Sequence, residues 1–227
     1  MNVLICCEES QTSTIEFRKL GYNAYSCDIQ YCSGGFPEWH IQGDCIPLIN
    51  GSCSFVTCDG VSHFINGKWD LIIAHPPCTY LSRAGASSLY KKPGVIDSER
   101  YKLVLEARDF FLRFYNADCP HICIENPVPF RIAGLPDYSQ MIQPFMFGEP
   151  FSKKTYLWTK GLPYLKPTNI LSDYVSYIAV CSSSKKVRSK TFVGIAKAFA
   201  SQYSAAVLSG SFFALPFQLK LSELGVI

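Results

Sequence analysis

Two short segments carry side chains fit for covalent chemistry. In HPPCTY (75–80) the thiol of Cys78 follows two consecutive prolines. Their rings fix φ and restrict the residue before each of them, so the sulfur is presented by a backbone with little freedom. In HICIENPVPF (121–130) the carboxylate of Glu125 ends an apolar run, just ahead of Asn126 and Pro127. A buried carboxylate is costly unless it has a partner or a use. A thiolate is a strong nucleophile, and a carboxyl group beside it can engage a ring nitrogen as negative charge spreads over the ring. In one cleft the pair suits covalent attack on an electron-poor ring. The plainer readings are a cysteine packed as a small apolar residue and a structurally paired glutamate. The double proline argues against the first of these at Cys78.

The surrounding sequence has to place both groups at one end of a sheet. NVLICC (2–7) reads as a buried parallel strand, TSTIEFRKLG (12–21) as a helix closed by Gly21, and YNAYSCDI (22–29) as a second strand whose tip carries Asp28. DLIIAH (70–75) and HICIENPVPF are further core strands. Strand, helix and strand with an acid at the second tip form the nucleotide-binding start of a doubly wound α/β sheet, and that acid can accept hydrogen bonds from ribose hydroxyls. No glycine-rich phosphate loop is present; CCEESQTS (6–13) stands in its place. Ligands of such sheets bind beyond the carboxyl ends of the strands, where Asp28, Asp44, Cys78 and Glu125 all fall. CSGGFPEWHIQGD (32–44) is a loop leading to Asp44, and 52–69 a hairpin insertion. Residues 81–97 are a loop with Gly85 as hinge and Arg83, Lys91 and Lys92 as basic contacts. Asp97 or Ser98 caps a helix that runs through Ala117, with Leu103, Ala107, Phe110, Phe111 and Phe114 as its core stripe. A final helix spans 188–206, within one domain of residues 1–208 followed by a tail, 209–227.

The chain has 227 residues, 48% of them hydrophobic, which suits one folded domain rather than a disordered chain. It has no apolar run of membrane-spanning length and no signal-peptide pattern at its start, so a cytoplasmic protein without membrane association is expected. None of the spacings among the 11 cysteines is CxxC, so no metal site is expected and most of the thiols should be reduced and buried. The net charge of +3 is uneven. Residues 1–150 hold 11 basic and 16 acidic side chains, whereas 151–200 hold 9 basic side chains and one acid, Asp173. Such a basic segment fits a polyanion such as nucleic acid as well as it fits a solvated face.

These segments resemble the DNA cytosine-5 methyltransferases, and most closely the short phage-encoded members that lack a large target-recognition domain. PPC (76–78) resembles the family's Pro-Cys nucleophile motif, ENP (125–127) its Glu-Asn motif, and FGEPFSKKT (147–155) its later strand motif. CDI (27–29) and GDC (43–45) stand where the family holds the adenosine of S-adenosylmethionine. HIQGD, WDLIIAHPPCTYLS, QPFMFGEPFSKKTYLWTKGLPYLKPTN and RSKTFVGIAKA resemble the short phage group over roughly residues 2–206. The sequence departs from the family in two places: CCEESQTST replaces a Phe-x-Gly-x-Gly motif, and Lys153 and Thr155 replace two arginines.

The resemblance implies a Rossmann-like S-adenosylmethionine-dependent methyltransferase sheet with helices on both faces. It also implies methyl transfer to cytosine C5 in double-stranded DNA, with the base flipped out of the stack. Cys78, Glu125 and Asn126 would be the catalytic residues. Cys7, Glu8, Ser10, Asp28, Ile29, Asp44, Cys45 and Pro76 would hold S-adenosylmethionine. Pro77, Arg83, Lys153 and Thr155 would meet the substrate, and the 143–187 segment would contact DNA. In a phage-encoded member the site of action would be the host bacterial cytoplasm, and the purpose protection from restriction. Two other readings stay open: modification of a free pyrimidine nucleotide, and a nucleic-acid- or nucleotide-binding protein that kept the fold without catalysis. An amino-methyltransferase is disfavoured, because its Pro-Pro motif ends in an aromatic residue where this chain has Cys78.

Overall fold

The computed structural model describes residues 1–82, 89–92, 94–180 and 190–210. Its centre is a seven-stranded sheet. Five strands are mutually parallel: β1 (Asn2–Cys6), β2 (Asn23–Asp28), β3 (His40–Gln42), β6 (Leu71–Ala74) and β9 (Ile122–Pro127). β12 (Thr155–Lys160) runs antiparallel beside β9, and β10 (Gln140–Ile142) closes that edge. The order across the sheet is β3-β2-β1-β6-β9-β12-β10. The remaining strands pair as small two-stranded units: β4 (Cys53–Val56) with β5 (Ser62–Ile65), β7 (Tyr90–Lys92) with β8 (Val95–Ile96), and β11 (Phe151–Ser152) with β13 (Val175–Ser176).

Helices cover both faces, and this explains why the central strands are apolar throughout. All four residues of β6 are buried, as are the last four of β1. Leu4, Ile72, Ile124 and Trp158 pack on one side with Val104, Phe111 and Phe114 of helix α2 (Ser98–Tyr115). Val3, Ile5, Leu71, Ile73 and Cys123 pack on the other with Phe17 of α1 (Thr12–Lys19). That second layer is completed by a C-terminal helical run, which follows the short α3 (Tyr177–Val180). It begins as α4 (Val193–Ala198), passes through a π-turn (Phe199–Tyr203) and ends in α5 (Ser204–Ser209). The chain is therefore the doubly wound, Rossmann-like α/β sheet that the sequence predicts. β1 leads to β2 on one side while β6 lies on the other, so the direction of winding reverses between β1 and β6, the place where such folds bind ligands.

Several elements differ from the sequence reading. The loop at 32–44 contains β3, and the loop at 81–97 contains the β7–β8 hairpin. On α2 the buried stripe is Val104, Phe111 and Phe114, with Ala107 and Phe110 packed at its margin, while Leu103 is turned outward. The helix does start at its predicted cap: Asp97 accepts the N–H groups of Glu99 and Arg100. The final helix begins at Val193, later than expected, and its N-terminus is held by Glu149, which accepts the Gly194 N–H at 3.0 Å. Gly194 is required there, because a Cβ would lie 2.0 Å from the Phe147 carbonyl. The predicted tail beyond Gly210 lies outside the described residues.

Trp158 joins β12 to the rest of the molecule. It is 1% exposed, meets Phe111 edge-on at 5.0 Å, and donates Nε1–H to the Pro136 carbonyl at 2.8 Å. Trp158→Ala should lower the unfolding free energy in urea by about 3–5 kcal/mol, the usual cost of emptying a large aromatic site. Trp158→Phe should lose less, retaining most of the packing without the indole hydrogen bond.

Candidate active site

β6 and β9 are parallel neighbours, with Ala74 opposite Ile124. The residues that leave their ends therefore run side by side, His75 with Glu125 and Pro76 with Asn126. The Pro76 carbonyl accepts a 2.8 Å hydrogen bond from Asn126 Nδ2. Asn126 is 1% exposed, so this bond is made away from water. Neither Pro76 nor Pro77 has an N–H to donate, and the side chain of the adjacent strand supplies the restraint instead. Cys78 follows and is exposed, as is Pro77. Its carbonyl accepts the N–H groups of Leu81 at 3.1 Å and Ser82 at 3.0 Å, which closes a turn directly after the thiol. Leu81 in turn accepts the Phe130 N–H at 3.1 Å, and Ser82 bridges Pro129. The chain after Cys78 is thus tied to the chain after Glu125, and the two sequence motifs form one corner.

Glu125 is largely buried and takes a 3.1 Å hydrogen bond from His75 Nδ1. Burial alone would raise the Glu125 carboxyl; the His75 hydrogen bond and charge outweigh it, Lys153 adds to them, and the carboxyl is held below the ordinary glutamate range. Burial alone would lower His75; Glu125 and the more distant Glu8 outweigh it and raise the imidazole against Lys153. At Cys78, desolvation by the surrounding protein and then the Glu125 charge push the exposed thiol up, while Lys153 pulls it back. The resting thiol is thus held protonated more firmly than a free one.

Lys153 reaches this corner because β12 runs antiparallel to β9. Thr155 pairs with Pro127, so the turn before β12 lies at the same sheet end as Glu125. The Lys153 ammonium stands 5.6 Å over the Tyr177 ring and 5.7 Å over the Phe192 ring, a cationic head held on two aromatic faces. Thr155, expected to meet substrate, is instead 3% exposed and donates its hydroxyl to the Lys153 carbonyl at 3.1 Å, which braces that turn. Lys160 lies at the opposite sheet end, bonded to the Ala117 carbonyl, so the basic segment does not face the corner as a whole. Arg83, Gly85 and the basic cluster at 185–188 lie outside the described residues.

The other half of the site lies over β1, β2 and β3. Glu8, expected at the cofactor, is 3% exposed and turns both oxygens to α1. It accepts the Ser13 N–H at 2.6 Å, the Thr14 N–H at 3.2 Å and the Thr14 hydroxyl at 2.8 Å, a carboxylate at a helix N-terminus where the dipole favours it. Ser10 is nearly buried, its hydroxyl 3.1 Å from that of Thr12. Gln11 adopts a left-handed backbone with φ +58° and is fully buried. Its amide donates to the Phe36 carbonyl at 2.9 Å and accepts the Phe36 N–H at 3.1 Å. Gly34 is the residue that makes room, since a Cβ there would lie 2.6 Å from Gln11 Cβ. The segment that replaces a glycine-rich loop is thus fastened to 33–36.

Beside this fastened loop, Asp28 is half-buried at the tip of β2. Burial raises its carboxyl, opposed by the Gln30 N–H at 2.9 Å. Ile29, 76% exposed, offers an apolar surface next to it, and Asp44 is exposed with one oxygen on the Ile46 N–H at 3.0 Å. Cys7 and Cys45 face each other with sulfurs 3.9 Å apart, and Cys45 is nearly buried. Every cysteine among the described residues is a free thiol.

Sequence reasoning overlooked His75, Gln11 and Gly34. His75 carries a readable signal, being the last residue of a core strand whose parallel neighbour ends in an acid. The pairing of Gln11 with Phe36 bridges two loops and has no local signature.

No protein-family model and no curated protein matches the chain. Among solved structures it is similar to one described as a candidate DNA modification methyltransferase encoded within an E. coli prophage, with 16% identity and a TM-score of 0.43. The similarity covers 78% of this chain and 53% of that one, so the chain spans about half that protein's length.

Proposed function

We propose that the protein transfers a methyl group from S-adenosylmethionine to cytosine C5 in DNA, through a covalent adduct between Cys78 and a flipped-out base. The observation that carries this reading is the corner itself. An exposed thiol sits on a double-proline turn whose Pro76 carbonyl accepts a hydrogen bond from Asn126, on the strand that holds Glu125, with the Lys153 charge beside both. A cysteine kept for packing needs none of these.

The reaction follows from the chemistry of the ring. Cytosine C5 is a poor nucleophile until a thiolate adds at C6. Cys78 Sγ would form that bond, and Glu125 would hold N3 and the exocyclic amine, where charge develops. S-adenosylmethionine supplies the methyl group. Once C5 has taken it, loss of the C5 proton lets the sulfur leave and restores the aromatic ring. Pro76 and Pro77 fix the direction of approach, and Asn126 keeps them there. Lys153 favours the thiolate and a neighbouring phosphate together. At the other half of the site, Asp28 has an oxygen without a hydrogen-bond partner among the described residues, which could accept from ribose hydroxyls, and Ile29 with Cys45 offers an apolar surface for adenine. These residues fit the group, while Glu8, Ser10 and Gln11 shape the loop under it without spare polar atoms.

A 5-fluorocytosine duplex tests the covalent step, because that ring has no C5 proton to lose. In the presence of S-adenosylmethionine the wild-type protein should gain the mass of the DNA strand through Cys78 in intact-mass spectra. Cys78→Ser should form no adduct, and Glu125→Gln should form it at least about tenfold more slowly, corresponding to roughly 1.4 kcal/mol of lost stabilisation. DNA modified by the wild-type protein without any such adduct, over several sequence contexts, would remove the thiol mechanism. Cofactor binding is separable. Calorimetry should show Asp28→Ala weakening S-adenosylmethionine by about tenfold or more, as expected for lost charge-assisted hydrogen bonds to ribose. Equal binding by the two proteins would move the ribose contact elsewhere.

A further inference from the structure

The histidine before the prolines is not needed for the turn they form, and its side chain does not point with them. Pro76 and Asn126 meet in one direction, whereas His75 turns to Glu125. The His75 side chain is 9% exposed. Its Nδ1 is 3.1 Å from Glu125 Oε2, and its Nε2 is buried with no hydrogen-bond partner among the described residues. A histidine serving only the fold would be expected to have both nitrogens satisfied. A buried histidine–glutamate pair is also a poor stabiliser in its own right, since desolvation offsets much of the attraction. The charged groups around it are Glu125 on β9, Glu8 at the start of α1 and Lys153 before β12, with the Cys78 thiol beyond Glu125.

We propose that His75 is a positioning residue for Glu125, holding the carboxylate in place and keeping one proton on the pair, so that the pair donates to cytosine N3 as Cys78 adds to C6. This rests on the reaction proposed above. As the Sγ–C6 bond forms, the C5–C6 π pair moves to C4–C5 and the C4–N3 π pair moves to N3. N3 takes the shared proton, leaving neutral His75 and carboxylate Glu125. The Cys78 proton has gone to water beforehand. Once C5 carries the methyl group, N3 returns its proton to the pair, the C5 proton goes to water and the thiolate leaves. His75 touches neither ring nor cofactor in this scheme; it acts through Glu125.

The pair fixes the direction of the pH dependence. With His75 present, the proton is held up to a pH above the ordinary imidazole value, because Glu125 and Glu8 raise the ring against burial and Lys153. Without His75 the only holder left is the Glu125 carboxyl, which starts from a lower value. The alkaline limb of adduct formation should therefore move toward acid in His75→Gln. Trapping rates on 5-fluorocytosine duplexes should fall about tenfold or more at pH 8, with the gap narrowing as the pH is lowered, if the limb moves by one unit or more.

A loss of the same size at every pH, or no loss, would overturn the proposal while leaving the thiol mechanism standing. A wild-type protein that forms no adduct at any pH would remove the reaction itself. Should His75→Gln fail to fold, nitrogen-15 NMR of the histidines decides the matter in the wild-type protein. The His75 ring should titrate above the ordinary imidazole value, and Glu125→Gln should bring its titration down. A ring that is neutral at pH 6.5, or unmoved by Glu125→Gln, would overturn the proposal.

Discussion

Adjacent prolines donate no backbone hydrogen bond, so the chain leaving β6 has to be held by donors from elsewhere. The Asn126 amide is that donor, and its 2.8 Å bond to the Pro76 carbonyl fixes the geometry of the corner. It demands that β9 lie beside β6 in a register that brings Asn126 opposite Pro76. That register in turn sets Glu125 next to His75. The closing contacts, Leu81 with Phe130 and Ser82 with Pro129, extend the same alignment beyond the sheet. A thiol with one defined approach direction is the result, and it comes from a sheet register more than from any flexibility of the loop that bears it.

The β1–α1 loop shows a different economy of polar groups. Loops that wrap a cofactor commonly rely on glycine to bring backbone amides to the ligand. Here side chains take those amides instead. Glu8 accepts the first N–H groups of α1, and Gln11 imitates a strand partner for Phe36. The loop gains rigidity, and the polar contacts available to a ligand shift outward to Asp28 and Asp44 at the strand tips. The sheet end nearest β1 correspondingly carries the Cys7 and Cys45 thiols, which are compact and weakly polar.

Much of this was legible from residue types. β1, β6 and β9 could be read because strands covered on both faces carry unbroken apolar runs. The acids that end such runs, Glu125 among them, marked the sheet edge; the double proline singled out Cys78, and Asn126 was named only through the resemblance of ENP to a family motif. β3 and β10 were not legible, since three residues are too few to show a period of two. The buried stripe of α2 was misread at Leu103, which lies one position from the buried Val104; in a helix with apolar residues on both sides of that boundary, only the neighbouring layer decides which side is covered. Glu8 was misread for a related reason. A carboxylate just after a strand can face a ligand or the next helix, and the choice depends on the backbone path through Cys7, whose φ of +59° turns the chain back toward α1.

The two outermost strands of the sheet, β3 and β10, are each only three residues long. An exposed sheet margin is a row of unpaired amides and carbonyls onto which another chain can build. Margins this short leave few such groups at either side, although five longer strands lie between them. The central sheet therefore offers a neighbouring copy few groups at either margin on which to extend it.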